Sequence, residues 1–165
     1  MHTANAAEIS LAEKARIEAF VFEEARLLDD RAYDQWVGLF DDDGIYWVPS
    51  GKAGDADTAV ALIYDNAARL KERLIRMNAP TFWAQSPPTE TTRVIGNLVI
   101  SSADHGCTAV QYKFVMTALR RGVSTLFSGK VEMLLRQQNE SFAVKRKVVR
   151  LQERDQPFDN LTFLI

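Results

Sequence analysis

CTAVQYKFVMTALRRGVSTLFSGKVEMLLR, residues 107–136, sorts its side chains by parity. In the first half the even positions Val110, Tyr112, Phe114 and Met116 are apolar. In the second half the odd positions are Val123, Thr125, Phe127, Gly129, Val131, Met133 and Leu135, and the even positions are mostly polar. A period of two puts alternate side chains on opposite faces of a strand, so the stretch reads as strand, turn, strand. Arg120, Arg121 and Gly122 supply the turn. Strands with one apolar face need a second layer to cover it.

The flanking sequence extends the pattern. Residues 93–101 read as a strand, and 103–106 as the turn that follows. After a turn at 137–140, a last strand at 142–153 changes phase. Phe142 and Val144 are apolar at even positions, Val149 and Leu151 at odd ones. A β-bulge near residues 146–148 reconciles them. Upstream, the period becomes helical. Ser10 and Glu13 have capping-box spacing, and Ile17, Phe20, Val21, Glu24 and Leu28 recur on one face, widened by Ala25 and Leu27. A short second helix puts Tyr33, Trp36, Val37 and Phe40 on one side. Gly44 marks a turn, and 45–48 is a short strand stopped by Pro49. After a loop at 51–57, a long helix is expected from Asp57 or Thr58, with the stripe Ile63, Ala67, Leu70, Leu74, Met77 and a stop at Pro80. Residues 81–92, with Pro87 and Pro88, read as an extended loop. Helices first and a meander last define an α+β class. The expected shape is one domain, residues 1–165: a cone-shaped, curved antiparallel sheet wrapped around the N-terminal helices, with an open mouth.

Composition limits the chemistry. The 165 residues are 47% hydrophobic and 25% charged, which suits one folded domain with a core. A net charge of −2 gives no footprint for nucleic acid. The short run Lys145, Arg146, Lys147 reads as a solvated strand face or a partner contact. No apolar run approaches the roughly 20 residues of a membrane helix. MHTANAAEIS lacks the layout of a signal peptide. The single cysteine, Cys107, fits a reducing cytoplasm. One cysteine and two histidines, His2 and His105, cannot supply a four-ligand zinc site or an iron–sulfur cluster.

Motif by motif, the mild reading prevails. Asp41, Asp42 and Asp43 suggest a calcium loop, but alignment on Gly44 puts Leu39 first and Ser50 twelfth. A polar helix-to-strand connection with its aspartates in water fits better. His105-Gly106-Cys107 reverses the order of a Rieske half-motif and is better read as a turn. There is no G-x-S-x-G and no G-x-G-x-x-G. An acid/base site inside the cone has candidates in Tyr33, Asp34, Tyr46, Tyr64 and Asp65, since a desolvated carboxylate can move protons near neutral pH. Core packing of the tyrosines and solvation of the aspartates compete with that reading.

EEARLLDDRAYDQWVGLFDDDGIYWVPSG, residues 23–51, closely resembles the signature of the small (beta) subunits of aromatic-ring-hydroxylating dioxygenases. The matches are Glu24, Ala25, Leu28, Asp29, Trp36, Phe40, Tyr46, Trp47, Val48 and Pro49. Tyr64, Asp65, Leu70, Arg73 and Met77 resemble the second-helix pattern of that family. Residues 147–150, then Asp155, Pro157, Asn160 and Leu161, resemble its closing strand and tail. The short loop between Pro49 and Asp57 and the segment 81–88 depart from the pattern. The resemblance implies a fold like nuclear transport factor 2, also called cystatin-like, and a cytoplasmic trimer paired with three large (alpha) subunits in an alpha3beta3 hexamer. It implies that the Rieske 2Fe-2S cluster and the mononuclear Fe(II) sit on the large subunit, with no catalytic or cofactor residue in this chain. Trp47, Trp83 and Arg150 are then expected at a subunit interface. The alternative is a stand-alone isomerase, dehydratase or hydrolase, or a small-molecule-binding protein, using the cone cavity.

Overall fold

The computed structural model describes residues 9–50, 61–79, 86–152, 161 and 163–165. His2, Asp57, Thr58, Pro80, Trp83, Asp155, Pro157 and Asn160 lie outside the described residues.

Helix α1, Leu11–Asp29, starts where its cap predicts: the Ser10 hydroxyl accepts the Glu13 N–H at 3.1 Å. Ile17, Phe20, Val21, Glu24 and Leu28 are all buried, so the helical stripe is the packed face. Helix α2, Tyr33–Val37, seats Tyr33, Trp36 and Val37 in the same core. Strand β1, Phe40–Pro49, is longer than expected and runs through the aspartates and Gly44. Its pairing shifts register between Phe40 and Ile45, so the acidic residues form an irregular part of a strand and not a plain turn. Glycine is required at position 44, because a Cβ there would lie 2.5 Å from the Val144 carbonyl oxygen.

Residues 61–66 correct the helix expectation. Ala61–Asn66 is strand β2, antiparallel to β1, and helix α3 spans only Ala67–Met77. Asn66 caps α3 by accepting the Arg69 N–H at 2.9 Å. Ile63 falls in the helical stripe by spacing, yet it is buried from a strand. Pairing with β1 overrides the local periodicity, and only tertiary context selects that partner.

Strands β3 (Glu90–Ser102), β4 (Cys107–Arg120), β5 (Val123–Gln138) and β6 (Ser141–Leu151) form the meander. The six-stranded order is β2-β1-β6-β5-β4-β3. Every pair is antiparallel except β1 with β6, which are far apart in sequence and run parallel. The β6 bulge lies at Lys145, between the pairs Leu134–Arg146 and Leu135–Val144, slightly N-terminal to the expected place. Beyond it, Lys147, Val149 and Leu151 face inward. The one-sidedness of β5 holds only from Val131 onward; Val123 stays exposed. At the far edge, Asp29 ties α1 to β3 by accepting from Arg93 N and Nε and from Thr91 Oγ1 at 2.8–3.0 Å. Phe163, Leu164 and Ile165 are buried in the core, at most 7% exposed.

Candidate functional site

A charged cluster sits in the core where α1, β1 and β6 meet. Glu24 comes in on the apolar stripe of α1, and Lys147 from the inward phase of β6. Both are 0% exposed. Lys147 Nζ donates to Glu24 Oε1 at 2.6 Å, and Trp36 Nε1 donates to the same oxygen at 2.5 Å. Lys147 Nζ lies 5.5 Å from the Trp36 ring and 5.8 Å from the Tyr46 ring. Two buried charges are tolerated because each is the other's partner and the rings face the cation. Glu24 Oε2 has no hydrogen-bond partner among the described residues.

Ile165 closes this cluster. Its carbonyl oxygen accepts from Tyr46 Oη at 2.9 Å and from Lys147 Nζ at 3.1 Å. The Ile165 N–H donates back to Tyr46 Oη at 3.1 Å. Burial pushes the Tyr46 hydroxyl well above the ordinary tyrosine range, and likewise that of Tyr112, which the Glu24 charge raises further. Burial also pulls the Lys147 ammonium below its usual value, against the opposing pull of Glu24. The assembly is a locked polar knot in an apolar surround.

The five expected cavity residues do not share one site. Tyr46 and Asp65 are register partners on the inner face, whereas Tyr64 pairs with Trp47 on the opposite face and is 42% exposed. Asp65 is taken by Arg73 at 2.5 Å. Tyr33 is buried, and that burial raises its hydroxyl above the ordinary value. Asp34 is exposed. Asp41 alone of the acidic stretch is less solvated than expected; Asp42 and Asp43 are exposed. Asp41 accepts two bonds from Arg136, at 2.6 and 2.8 Å, which hold its carboxyl below the usual range. Asp43 accepts from Lys145 at 2.6 and 2.7 Å, and Asp42 is exposed. Lys147 corrects the reading of the basic run as solvated; only Arg146 is exposed there. His105 is exposed on a 3-10 turn, and Cys107 is half-buried. Among the described residues no helix is long and apolar enough to cross a membrane.

A second cluster occupies the outer face of the sheet. The Arg150 guanidinium lies 5.4 Å from the Trp47 ring, which also meets Tyr64 edge-to-face at 6.2 Å. Trp47 is 4% exposed beneath these neighbours, so Arg150 is the part a partner could touch. Glu132 accepts from Lys130 at 2.8 Å and from Arg150 at 3.2 Å. Burial raises its carboxyl, but those two bonds outweigh burial and leave it below the usual value. Lys113, Lys130, Arg150, Val94 and Val115 line a concavity of about 540 Å³. Val94 and Val115 are register partners, and with Val99, Leu119 and Leu126 they leave five large apolar side chains exposed on the outward phase of β3, β4 and β5. Exposed apolar side chains set side by side, as Val94 and Val115 are, mark interaction faces.

Sequence reasoning missed the Glu24–Lys147 pair. Its signal was present: one acid inside an otherwise apolar helical stripe, and one lysine in phase with Val149 and Leu151.

The comparisons bear on the whole chain. The family model described as "Ring hydroxylating beta subunit" matches residues 23–155. The small oxygenase component of the p-cumate 2,3-dioxygenase system of Pseudomonas putida is 32% identical over 126 residues, 74% of this chain and 70% of that one. The beta subunit of benzoate 1,2-dioxygenase from Burkholderia mallei has a similar structure. Its TM-score is 0.73 at 26% identity, covering 95% of this chain and 99% of that one. A chain of naphthalene 1,2-dioxygenase shares the fold, with a TM-score of 0.80 at 21% identity over 98% and 89% of the two chains.

Proposed function

Because the chain belongs to the ring hydroxylating beta subunit family, we propose that it serves as the non-catalytic small subunit of a multicomponent oxygenase that dihydroxylates an aromatic ring. The observation that carries this is the contrast between its two faces. The interior is packed around a locked ion pair and residues 163–165, while the outer face offers exposed apolar residues beside Arg150. In this reading the Rieske 2Fe-2S cluster and the mononuclear Fe(II) belong to the large subunit. The small subunit forms a cytoplasmic homotrimer within an alpha3beta3 hexamer. Arg150 contributes to its interface, with Trp47 as the support beneath it; Trp83 has the same expected role but lies outside the described residues.

Co-expression with a large subunit of the same oxygenase tests this. The two chains are expected to co-purify at the mass of an alpha3beta3 hexamer. A large subunit that is soluble, stable and fully active alone, with no complex formed, would defeat the proposal. The relatives named for p-cumate and benzoate make a substituted benzoate the first substrate class to assay with the assembled oxygenase.

A further inference from the structure

Residues 163–165 are held in an unusual way. They belong to no helix or strand, yet Phe163, Leu164 and Ile165 are 7%, 1% and 1% exposed. The hydrogen bonds to Ile165 come from side chains, not from a sheet ladder. Tyr46 Oη donates to its carbonyl oxygen and accepts its N–H, and Lys147 Nζ donates to the same oxygen. Both side chains stand on neighbouring strands, as register partners of the β1–β6 pair, so their separation is fixed by the sheet. At the other end, the Phe163 ring meets Phe127 edge-to-face at 5.7 Å. An apolar body with one oxygen fixed between a phenol and an ammonium is how a small ligand is bound. Three side chains of this size fill a space of the order of a small-molecule pocket, roughly 300–1,000 Å³. Lys147 links this oxygen to Glu24, whose Oε2, in a side chain 0% exposed, has no partner among the described residues.

We propose that residues 163–165 are a tethered occupant of a binding site inside the cone, and that this site takes an apolar molecule ending in a carbonyl or carboxylate oxygen. Tyr46 and Lys147 receive that oxygen, and the core around Phe127 receives the apolar body. With the tail in place the site is closed to free ligands. The inference goes beyond the subunit reading and does not depend on it.

The test compares the parent protein with a chain lacking residues 163–165, each purified as the oxygenase it forms. Calorimetric titration uses 4-phenylbutanoate, 4-phenylbutanamide and butylbenzene, three probes of one shape that differ in the terminal oxygen. The shortened protein is expected to gain one saturable site per small subunit for the acid, the amide or both, with butylbenzene at least tenfold weaker. Binding of the acid alone means a charged oxygen is taken; binding of the amide means a neutral one suffices. No added site, or equal binding of all three probes, overturns the proposal. Tyr46→Phe in the full chain gives a second readout if the shortened chain does not fold. Hydrogen exchange of the Ile165 amide is expected to accelerate at least tenfold, with amides of β4 and β5 unchanged. Unaltered Ile165 protection also overturns the proposal. A small subunit that fails to join its large subunit leaves both readouts measurable, so the two ideas fail separately.

Discussion

Replacing Lys147 by methionine removes one half of the buried ion pair at nearly constant volume. Packing changes little, and the loss is electrostatic. Glu24 keeps Trp36 Nε1 but loses its only cation within 4 Å among the described residues. Breaking a buried pair from one side typically costs about 3–5 kcal/mol, because the remaining charge stays buried. The lost bond to the Ile165 carbonyl adds about 1 kcal/mol. A total of about 4–6 kcal/mol is a large part of the roughly 5–15 kcal/mol that holds a domain together. The double variant Glu24→Gln/Lys147→Met removes both charges and leaves an amide oxygen for Trp36. It is expected to recover most of the loss, ending about 1–2 kcal/mol below the parent. Urea unfolding at fixed protomer concentration reads these differences. Far-UV circular dichroism is the right signal, since Trp36 lies in the cluster and its fluorescence would report the mutation itself. A pH series adds a sign. Burial holds the folded pKa of Lys147 below its unfolded value of 10.5. Between those two values the unfolded chain binds more protons, so stability rises with pH across that window in the parent relative to Lys147→Met. A single variant losing less than about 1 kcal/mol, or a double variant losing the sum of the two singles, would refute the reasoning.

Other positions give independent checks. Gly44→Ala should destabilise the fold by about 2 kcal/mol or more, since the new methyl meets backbone oxygens of Val144 and Asp41 at 2.5 and 2.9 Å; a shift in thermal midpoint measures it. Asp41→Asn should lower the melting temperature at neutral pH. Arg136 depresses the Asp41 pKa below 3.8, so that stabilisation is present above 3.8 and lost as pH falls through the lower folded value. The melting temperatures of parent and variant should therefore converge below pH 3.8. Arg150→Ala should weaken association with the large subunit about tenfold, the scale of one interface anchor, with an unchanged circular dichroism spectrum; unaltered affinity by titration would remove Arg150 from the interface. Ser10→Ala should cost about 1 kcal/mol in urea unfolding through the lost cap on α1.

What the sequence made legible follows from how local each signal is. The α1 cap needs only residues 10 and 13, and the meander needs only alternation and turns, so both were readable. Strand β2 was not, because residues 61–66 satisfy a helical stripe and become a strand only through pairing with β1. The same limit explains the acidic stretch: Asp41 finds Arg136 on another strand, 95 residues away. The site was harder still. Glu24 and Lys147 are 123 residues apart, and although Glu24 falls within the apolar stripe of its helix, nothing local names Lys147 as its partner. Residues 163–165 carry only an apolar signature, with nothing to say that they enter the core.

Alternation also explains why one short motif serves both faces. Tyr46 and Trp47 are consecutive, so a strand must send them to opposite sides. Tyr46 goes inward to hold Ile165, and Trp47 goes outward to lie beneath Arg150. On the neighbouring strand Lys147 is inward as the register partner of Tyr46, Val148 partners Trp47, and Arg150 lies two residues further on with its guanidinium over the Trp47 ring. The bulge at Lys145 sets that phase. With Lys145 paired in the ladder, Lys147 would face solvent and Val148 and Arg150 would face the core. An unpaired Arg150 in the core would cost more than the fold can supply. Both faces therefore depend on Lys145 staying out of the ladder. Deleting Lys145 removes the bulged residue and leaves Leu135 opposite Val144 and Leu134 opposite Arg146, so the buried ion pair and the Arg150–Trp47 contact should both survive. A deletion variant whose structure turned Lys147 to solvent would refute this account of the phase.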